Sequence, residues 1–446
     1  MRDVANAVTG YRHRRALPAL CICAAVLGGP TEAIPAAPVT ARDLSLGGAG
    51  AATVTGVNAI WSNPANLAAR DRPAFSLMFL SAALGASNNS FSLDQYNRFT
   101  RPGTELTLRE KSEILSSIPE DHFQIRAEAA GNILGFTMGP VGIAATPRVF
   151  GSLTLAKDYF DLLFTGNELH HTYSFDGTSG ESIAFLETAL SYGRRTSWLP
   201  FANGRWGVSF KILTGAAYFE VLESQGHLVT YPSKASGRAG VKVQFSGETE
   251  KVEKDGESDW EYTPTVGHGF GFDLGIAGDL SRKWKTAVVL RDIGSTISWD
   301  RGTEKSYSYS VDSLTVANAD EEDLIVDEES DTPVDGFDVP LPTMLHVEFT
   351  RETRRCLFTT AYDQGFRSFA GVSTSPKLTL GTEVRWPAWI PLRTSVSFGG
   401  GMGTCLAGGF GLHLGALRFD AAALTRSFSP GNAKGGLLAL TTYMRF

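Results

Sequence analysis

Polar and apolar side chains alternate with a period of two along most of the chain after residue 74. In the segment 377–386, one face carries Leu378, Leu380, Val384 and Trp386. The other face carries Lys377, Thr379, Glu383 and Arg385. The same alternation recurs in 268–280 and in 416–426. A helix would mix the two sets around its circumference, so this period predicts β-strands with one apolar and one polar face.

The alternating stretches predict an all-β protein of roughly 14 strands, an even number. They cover residues 74–86, 122–137, 141–155, 183–197, 205–222, 268–280, 284–299, 343–350, 355–364, 376–386, 391–400, 404–414, 416–427 and 436–446.

The connections between these strands alternate in length. Tight links follow the even-numbered strands, whereas the first four odd-numbered strands are followed by the long segments 87–121, 156–182, 223–267 and 300–342. Short turns on one rim and long loops on the other are typical of a transmembrane antiparallel β-barrel. The sequence therefore predicts such a barrel over residues 74–446, with both ends at the short-turn rim and the long loops outside the cell.

Tryptophans cluster beside the proposed short turns, as an aromatic girdle at a membrane interface would. They are Trp198, Trp206, Trp284, Trp386 and Trp389. The alternative is that these side chains cap a soluble core.

Composition excludes several other classes of protein. Past residue 29 no apolar run approaches the roughly 18 residues of a membrane-spanning helix. A hydrophobic content of 43% is too high for a disordered chain. The net charge of −7 argues against binding to nucleic acid.

The first 41 residues are typical of an export signal. Basic residues 12–15 precede the apolar stretch 16–29, and small residues follow, which predicts cleavage near 33–41. A short buried helix is the alternative. Cleavage would leave only Cys356 and Cys405, so a disulfide framework is not expected.

The segment that follows carries two short motifs. The first includes Gly47, Gly48 and Ala49, and the second includes Trp61, Asn63, Pro64 and Ala65. This pair resembles the start of the outer-membrane transport protein superfamily (FadL/TodX-like), which includes relatives of unknown function and the PorV-type secretion proteins. The resemblance implies a 14-stranded barrel whose N-terminal segment, here residues 42–73, folds into the lumen as a hatch.

Small residues suit such a hatch because they let backbone pack closely, and the residue before a proline disfavours helix. The predicted hatch and gating residues are Gly47, Gly48, Asn58, Trp61, Asn63 and Pro64. Asn63 and Pro64 could instead only fix a turn in a static plug.

Charged residues on the polar strand faces are assigned to the lumen, because a charge facing lipid costs about 2–4 kcal/mol near the midplane. The main set is Arg205, Lys211, Asp273, Arg291, Glu383, Arg385, Arg418 and Asp420, and Glu348, Lys377 and Arg393 lie on the same faces. These charges are expected either to pair with one another or to line a polar path.

Apolar clusters on the long loops are candidates for capturing a hydrophobic ligand. They include Leu106, Ile114 and Leu115, on a helix expected between residues 105 and 120, and Tyr159, Phe160 and Phe164 on the next loop. Packing of these side chains over the barrel mouth is the alternative.

No arrangement of nucleophile, base and orienting group indicates an enzyme, and no pattern predicts a metal site or a cofactor. The final strand places Leu438, Leu440 and the terminal Phe446 on one face. This ending resembles the signal that the outer-membrane barrel-insertion machinery reads.

The sequence thus predicts a Gram-negative outer-membrane barrel that contacts outer-membrane lipid. The resemblance implies passive transport of a hydrophobic small molecule of the fatty-acid or hydrocarbon type. A non-transporting anchor or secretion partner of the PorV type is the rival hypothesis.

Overall fold

The computed structural model describes residues 40–101, 105–119, 122–254, 257–314, 326–401, 403–429 and 431–446. Apart from its last two positions, the predicted signal peptide lies outside the described residues. Export and cleavage therefore stay predictions.

Twenty β-strands are present in the described residues. They are β1 Phe75–Asn88, β2 His122–Asn132, β3 Leu134–Met138, β4 Val141–Ala156, β5 Thr172–Ser174, β6 Ser179–Arg195, β7 Ala202–Thr230, β8 Ala235–Ser246, β9 Glu248–Lys254, β10 Glu257–Thr263, β11 Gly267–Asp279, β12 Trp284–Leu314, β13 Val326–Pro340, β14 Met344–Glu352, β15 Cys356–Gly365, β16 Lys377–Val384, β17 Leu392–Gly399, β18 Thr404–Leu414, β19 Leu417–Thr425 and β20 Gly435–Arg445.

Most of these strands form a closed antiparallel wall of 14 strands. β2 and β3 are two pieces of one wall strand that β1 and β4 both flank. The wall continues through β4, β6, β7, β11, β12 and then β14 to β20. β20 pairs with β1 and closes the cylinder, which confirms the predicted fold class.

The two faces of the wall differ as the sequence alternation predicts. In β20, Leu438 and Leu440 are exposed on the outside, whereas Leu437 and Ala439 are buried. In β16, Leu378 is exposed on the outer face, and the polar residues of the other face are buried. The outer face is therefore a continuous apolar surface of the kind that contacts lipid.

Two of the segments expected to be loops contain strands instead. β7 and β12 continue beyond the wall, where β8 lies between them and β13 pairs with the other side of β12. This sheet occupies parts of 223–267 and 300–342. Backbone pairing continues there, but the alternation fades, because most side chains of β8 are half-buried whichever face of the sheet they lie on. Residues 315–325 of the second segment lie outside the described residues.

Short helices occupy the other two long connections and the N-terminal segment. They are α1 Ala41–Ser45, α2 Ala59–Ser62, α3 Leu93–Phe99, α4 Leu108–Ser117 and α5 Asp158–Thr165. The helix expected between residues 105 and 120 is thus present as α4. Across the described ranges, no helix has both the length and the apolar character needed to cross a membrane.

Replacing Leu440 by arginine tests the lipid-facing assignment of β20. The side chain is 49% exposed at the middle of the strand, so Leu440→Arg is expected to lower the free energy of unfolding in lipid vesicles by about 2–4 kcal/mol. Denaturant titration measures this change. The control is Leu108→Arg in α4, where the leucine is 85% exposed beyond the wall and the change should stay within about 0.5 kcal/mol. Equal losses in the two variants would contradict the assignment.

Candidate functional site in the barrel lumen

Residues 40–69, named here the lumenal segment, lie inside the barrel. Every side chain in this segment is buried or half-buried. Its first helix, α1, packs against β17 to β20, and its last turn, Pro64–Ala68, packs against β6, β7 and β11 on the other side of the lumen. The segment therefore crosses the interior from one part of the wall to another.

The beginning of the lumenal segment is fixed by a helix cap and an apolar contact. The Thr40 side chain accepts a hydrogen bond from the Asp43 amide and so caps α1. The Ala41 amide donates to Thr441 Oγ1 at 2.9 Å. Leu44 packs in a buried cluster with Leu437 of the wall. One end of the segment is thus held by both polar and apolar contacts.

Gly47 lies where only a glycine fits. Its φ is +68°, and a Cβ there would be 2.7 Å from both Ser397 Oγ and Thr379 Cγ2. The Gly47 carbonyl accepts from Lys377 Nζ at 3.1 Å and from Thr379 Oγ1 at 3.3 Å. Gly48 also has a positive φ, of +96°. The close approach expected of these glycines is present, with a lysine of the wall as an anchor.

A buried carboxylate of β14 holds the next turn. The Gly50 amide donates to Glu348 Oε2 at 2.7 Å. Glu348 also accepts from Thr350 and lies 3.3 Å from His346 Nε2. His346 Nδ1 is 2.6 Å from Asp363, which forms a salt bridge with Lys377. One polar network thus connects two contacts of the lumenal segment.

Trp61 and Asn58 occupy different surroundings. The Trp61 indole packs with Ile60, Met78 and Tyr443, and its Nε1 donates to Thr146 Oγ1 at 3.0 Å. Asn58 is buried, and its Oδ1 has no hydrogen-bond partner among the described residues. Trp61 therefore anchors the segment to β4, whereas Asn58 contributes an unsatisfied carbonyl oxygen.

Asn63 organises the final turn of the segment. Its backbone is extended, and its Oδ1 accepts from the Ala65 amide at 3.0 Å, so it caps the turn that Pro64 opens. Its Nδ2 donates to the Ala51 carbonyl at 3.1 Å and to the Ile276 carbonyl of β11 at 3.3 Å. The turn predicted at Asn63 and Pro64 is present, and the same side chain also ties it to the wall.

Glycines of the wall leave room for this turn. A Cβ at Gly207 of β7 would lie 2.3 Å from the Ala65 nitrogen and the Pro64 carbonyl carbon. A Cβ at Gly275 of β11 would lie 2.1 Å from Asn63 Oδ1. An approach this close to the backbone of the wall leaves room only for glycine at these two positions.

Lys211 and Asp273 belong to a buried charge network on one side of the lumen. Lys211 Nζ lies 2.8 Å from Asp273 and 2.8 Å from Asp292, and a further carboxylate, Glu187, pairs with Arg148 at 3.0 Å. Buried charges are tolerated when they are paired in this way.

A second network surrounds Glu383 on the opposite side. Glu383 pairs with Arg42 of the lumenal segment at 3.3 Å and with Arg393 at 2.7 Å, and it also contacts Arg385. Arg393 in turn pairs with Asp420 at 2.6 Å. A wall carboxylate therefore binds the lumenal segment directly through Arg42.

Three predicted lumen charges bind uncharged groups instead of another charge. Arg205 donates to Asn66 Oδ1 at 2.8 Å and to the Ala52 carbonyl at 3.3 Å, and Arg291 donates to the Ser62 carbonyl at 3.0 Å. Both arginines thus hold the lumenal segment. Arg418 is only half-buried and donates to the Gly415 carbonyl in its own turn, at 2.6 Å, so it is not brought to the segment.

Sequence reasoning missed part of the charge network. Asp292 has a φ of +55° and Gly294 a φ of +64°, and the pairing register of β11 with β12 shifts beside them. This bulge turns Asp292 toward Lys211. The sequence signal was a glycine two residues after an aspartate inside a strand, which is typical of a bulge. Arg42, Arg148, Glu187, His346 and Asp363 also lacked a functional assignment.

An apolar cluster lies in the lumen toward the long loops. Buried side chains from several strands form one cluster there, which includes Phe150, Phe185, Leu213, Trp299 and Phe369. Phe369 belongs to the link between β15 and β16, and no sequence pattern predicted that this link would lie inside. That link is held by a hydrogen bond from the Ala370 amide to Glu181 Oε2 at 2.6 Å.

The predicted ligand-capture residues lie on α4 and α5 or next to them, and these two helices contact each other. Ile114 is buried, Leu106 and Leu115 are half-buried, and Phe160 meets Phe123 of β2 edge to face at 5.0 Å. Tyr159 stacks on Phe175 at 4.5 Å, and Phe164 is half-buried. Most of these side chains pack at the mouth, and their role in capture stays a prediction.

The N-terminus of α4 is closed by a capping box between Thr107 and Glu110. Glu110 accepts from the backbone and hydroxyl of Thr107, which holds the pKa of the Glu110 carboxyl below its usual range.

Within the part of the chain that the structure describes, no group of three or more histidine, cysteine, aspartate or glutamate side chains could hold a metal ion.

The family follows from a comparison with family models. A model described as a family of unknown function (DUF5723) matches residues 64–423. The chain belongs to this family. A search of curated proteins found no significant match.

Three solved structures illustrate the similarity of fold. The toluene transporter TbuX of Ralstonia pickettii has a TM-score of 0.51 and 12% identity, over 92% of this chain and 99% of its own. The toluene transporter TodX of P. putida has a TM-score of 0.52 and 10% identity, over 92% and 99%. A FadL homologue of Pseudomonas aeruginosa has a TM-score of 0.50 and 12% identity, over 94% and 100%. The predicted structural resemblance to FadL/TodX-like barrels is confirmed.

Replacing Gly207 by alanine tests the contact between the wall and the Pro64 turn. The new Cβ would overlap the backbone of residues 64 and 65, so Gly207→Ala is expected to weaken docking of the turn by about 1–3 kcal/mol. Hydrogen exchange at the Ala65 amide should accelerate. In the control Gly408→Ala, the nearest atom to the new Cβ is 3.8 Å away. Equal exchange rates in the two variants would show that the turn does not contact β7.

Two substitutions at Asn63 separate its capping role from its bond to the wall. Asn63→Ala removes the cap and both donated hydrogen bonds. It is expected to lower the free energy that holds the lumenal segment in place by about 1–2 kcal/mol. Asn63→Ser keeps a capping oxygen and should cost less. Protease resistance of the lumenal segment in the folded barrel measures both effects. If serine is as damaging as alanine, the cap contributes nothing.

Proposed function

We propose that this protein is an outer-membrane channel for hydrophobic small molecules, with the lumenal segment as its hatch. The observation that carries the proposal is a separate segment of chain that occupies the lumen and is bound by side chains from much of the wall. Such a segment blocks the interior while its contacts hold, and it opens a path where they break.

The nature of the lumen supports a hydrophobic substrate. Toward the long loops, aromatic side chains such as Phe150, Phe185 and Trp299 form an apolar part of the lumen. The charged residues Lys211, Asp273, Glu383 and Asp420 pair with opposite charges. Paired charges offer little to a polar solute, which favours the structural interpretation of these residues over a polar path.

The fold supports the same class of substrate by analogy. TbuX and TodX, which share this fold, are described as toluene transporters. Fold likeness alone does not transfer a substrate. The apolar cluster of the lumen and the aromatic side chains of α5 at the mouth are the features of this chain that fit the analogy.

The proposed route begins at α4 and α5, continues over the apolar cluster and ends at the lumenal segment. The segment must move for passage, because residues 63–65 touch β7 and β11 without space for a Cβ. The contacts of Arg42, Gly50 and Asn63 with the wall would be those that break. This assigns gating to Gly47, Gly48, Asn58, Trp61, Asn63 and Pro64 as neighbours of the moving backbone.

Export and insertion complete the proposal. The amide of Phe446 donates to the Phe75 carbonyl at 2.8 Å, so the last residue extends the seam between the first and last strands. A terminal aromatic at this seam suits recognition by the barrel-insertion machinery. The predicted signal peptide would deliver the chain to the outer membrane.

A non-transporting partner protein is the second candidate. The observation that favours it is the sheet of β7, β8, β12 and β13, which continues beyond the wall and presents exposed strand residues. Affinity capture of a stoichiometric exported protein by the full chain would support this candidate.

Uptake of a labelled long-chain fatty acid tests the transport proposal. The host is a Gram-negative strain without its own fatty-acid channel, and surface expression is matched between variants. The full chain should raise uptake above the empty host, and Gly207→Ala should raise it further because the hatch is loosened. Gly408→Ala should equal the unaltered protein. Uptake at the level of the empty host for all three would reject transport.

A further inference from the structure

Exposed basic residues collect at the short-turn rim of the barrel. They are Arg194, Arg282, Lys283, Arg351, Arg354 and Arg355, and all lie at or beside the links that follow β6, β11 and β14. The net charge of the chain is −7, so this basic surface runs against the overall composition.

Arginine and tryptophan side chains form pairs on the outer face of the same rim. The register places Arg194 of β6 beside Trp206 of β7, and Arg351 of β14 beside Trp284 of β12. The Arg355 guanidinium lies 5.4 Å from the centre of a third indole, Trp386. These three pairs are named here the arginine–tryptophan band.

The band faces outward from the barrel. Trp284 is 46% exposed and Trp386 is 69% exposed, and Arg351 and Arg355 are exposed beside them. The adjacent outer positions, such as Phe349 and Phe358, are also exposed and apolar. The band therefore lies where the apolar surface of the wall meets the short turns.

Two carboxylates near this rim are paired with groups outside the band. Glu352 forms salt bridges with Lys285 at 2.7 Å and with Arg385 at 2.6 Å, and Asp279 accepts from Asn203. Among the residues that the structure describes, no carboxylate lies within salt-bridge distance of Arg351 or Arg355. Their guanidinium groups are thus unneutralised at a membrane interface.

We propose that the arginine–tryptophan band binds the headgroups of anionic phospholipids in the leaflet around the short-turn rim. An indole prefers the boundary between hydrocarbon and water, which sets the depth of the site. A guanidinium presents paired donors that match a phosphate. Each arginine near an anionic surface adds a favourable interaction that salt weakens. This proposal rests on the transmembrane fold and is independent of transport.

Tryptophan quenching by brominated lipids tests the proposal on the full chain in vesicles. Brominated phosphatidylglycerol is compared with brominated phosphatidylcholine, each diluted in unbrominated phosphatidylcholine. The unaltered protein should be quenched more strongly by phosphatidylglycerol, and added salt should reduce the difference. Quenching by neither lipid would mean that the barrel is not in the membrane, and it would overturn the proposal together with the fold.

The variant Arg351→Gln/Arg355→Gln should lose about five-fold in relative phosphatidylglycerol association for each arginine removed. Arg101→Gln/Arg109→Gln is the matched control, because both arginines are exposed on the connection between β1 and β2 at the opposite rim. It removes the same charge and should keep the preference. Equal quenching by the two lipids in the unaltered protein, or an equal loss in both variants, would overturn the proposal.

Discussion

Antiparallel pairing of β1 with β20 is the constraint on which the rest of the structure depends. Leu77 pairs with Met444 at this seam, and the pairing converts a sheet into a cylinder without free edges in the membrane. Once the cylinder is closed, one face of every wall strand must meet lipid and the other must face a narrow interior. Each lumen side chain must then find its partners inside.

The interior meets this demand in two ways. Wall charges pair with one another and also bind backbone groups of the lumenal segment, as Glu348 does with the Gly50 amide and Arg291 with the Ser62 carbonyl. Toward the long loops, an apolar cluster fills part of the space, and the link between β15 and β16 adds Phe369 to it. The lumenal segment is therefore part of the polar interior of the barrel.

Period-two alternation was sufficient to predict the wall, because lipid on one side and polar packing on the other impose opposite chemistry on successive residues. The same logic placed Lys211, Asp273 and Glu383 on the inner face, where they are buried. It failed beyond the wall, where β7 and β12 continue and neither face of the sheet is consistently buried. There the alternation of polar and apolar side chains no longer indicates a strand.

Single local features were also beyond prediction from one sequence. The bulge at Asp292 depends on a register shift between β11 and β12, which only the paired structure reveals. The inward path of the link that holds Ala370 depends on Glu181, which is distant in sequence. By contrast, the turn at Asn63 and Pro64 was predictable, because asparagine before proline disfavours helix locally.

Spin-label accessibility along β20 in lipid vesicles tests most directly whether a filled barrel spans the membrane. Labels at 438 and 440 should collide with oxygen dissolved in the lipid, whereas labels at 437, 439 and 441 should be shielded from both oxygen and a water-soluble nickel complex. Shielding of the second set from the nickel complex would show that residues 40–69 occupy the interior. Contact of 437, 439 and 441 with the nickel complex, or an absence of alternation in oxygen contact, would contradict the filled barrel.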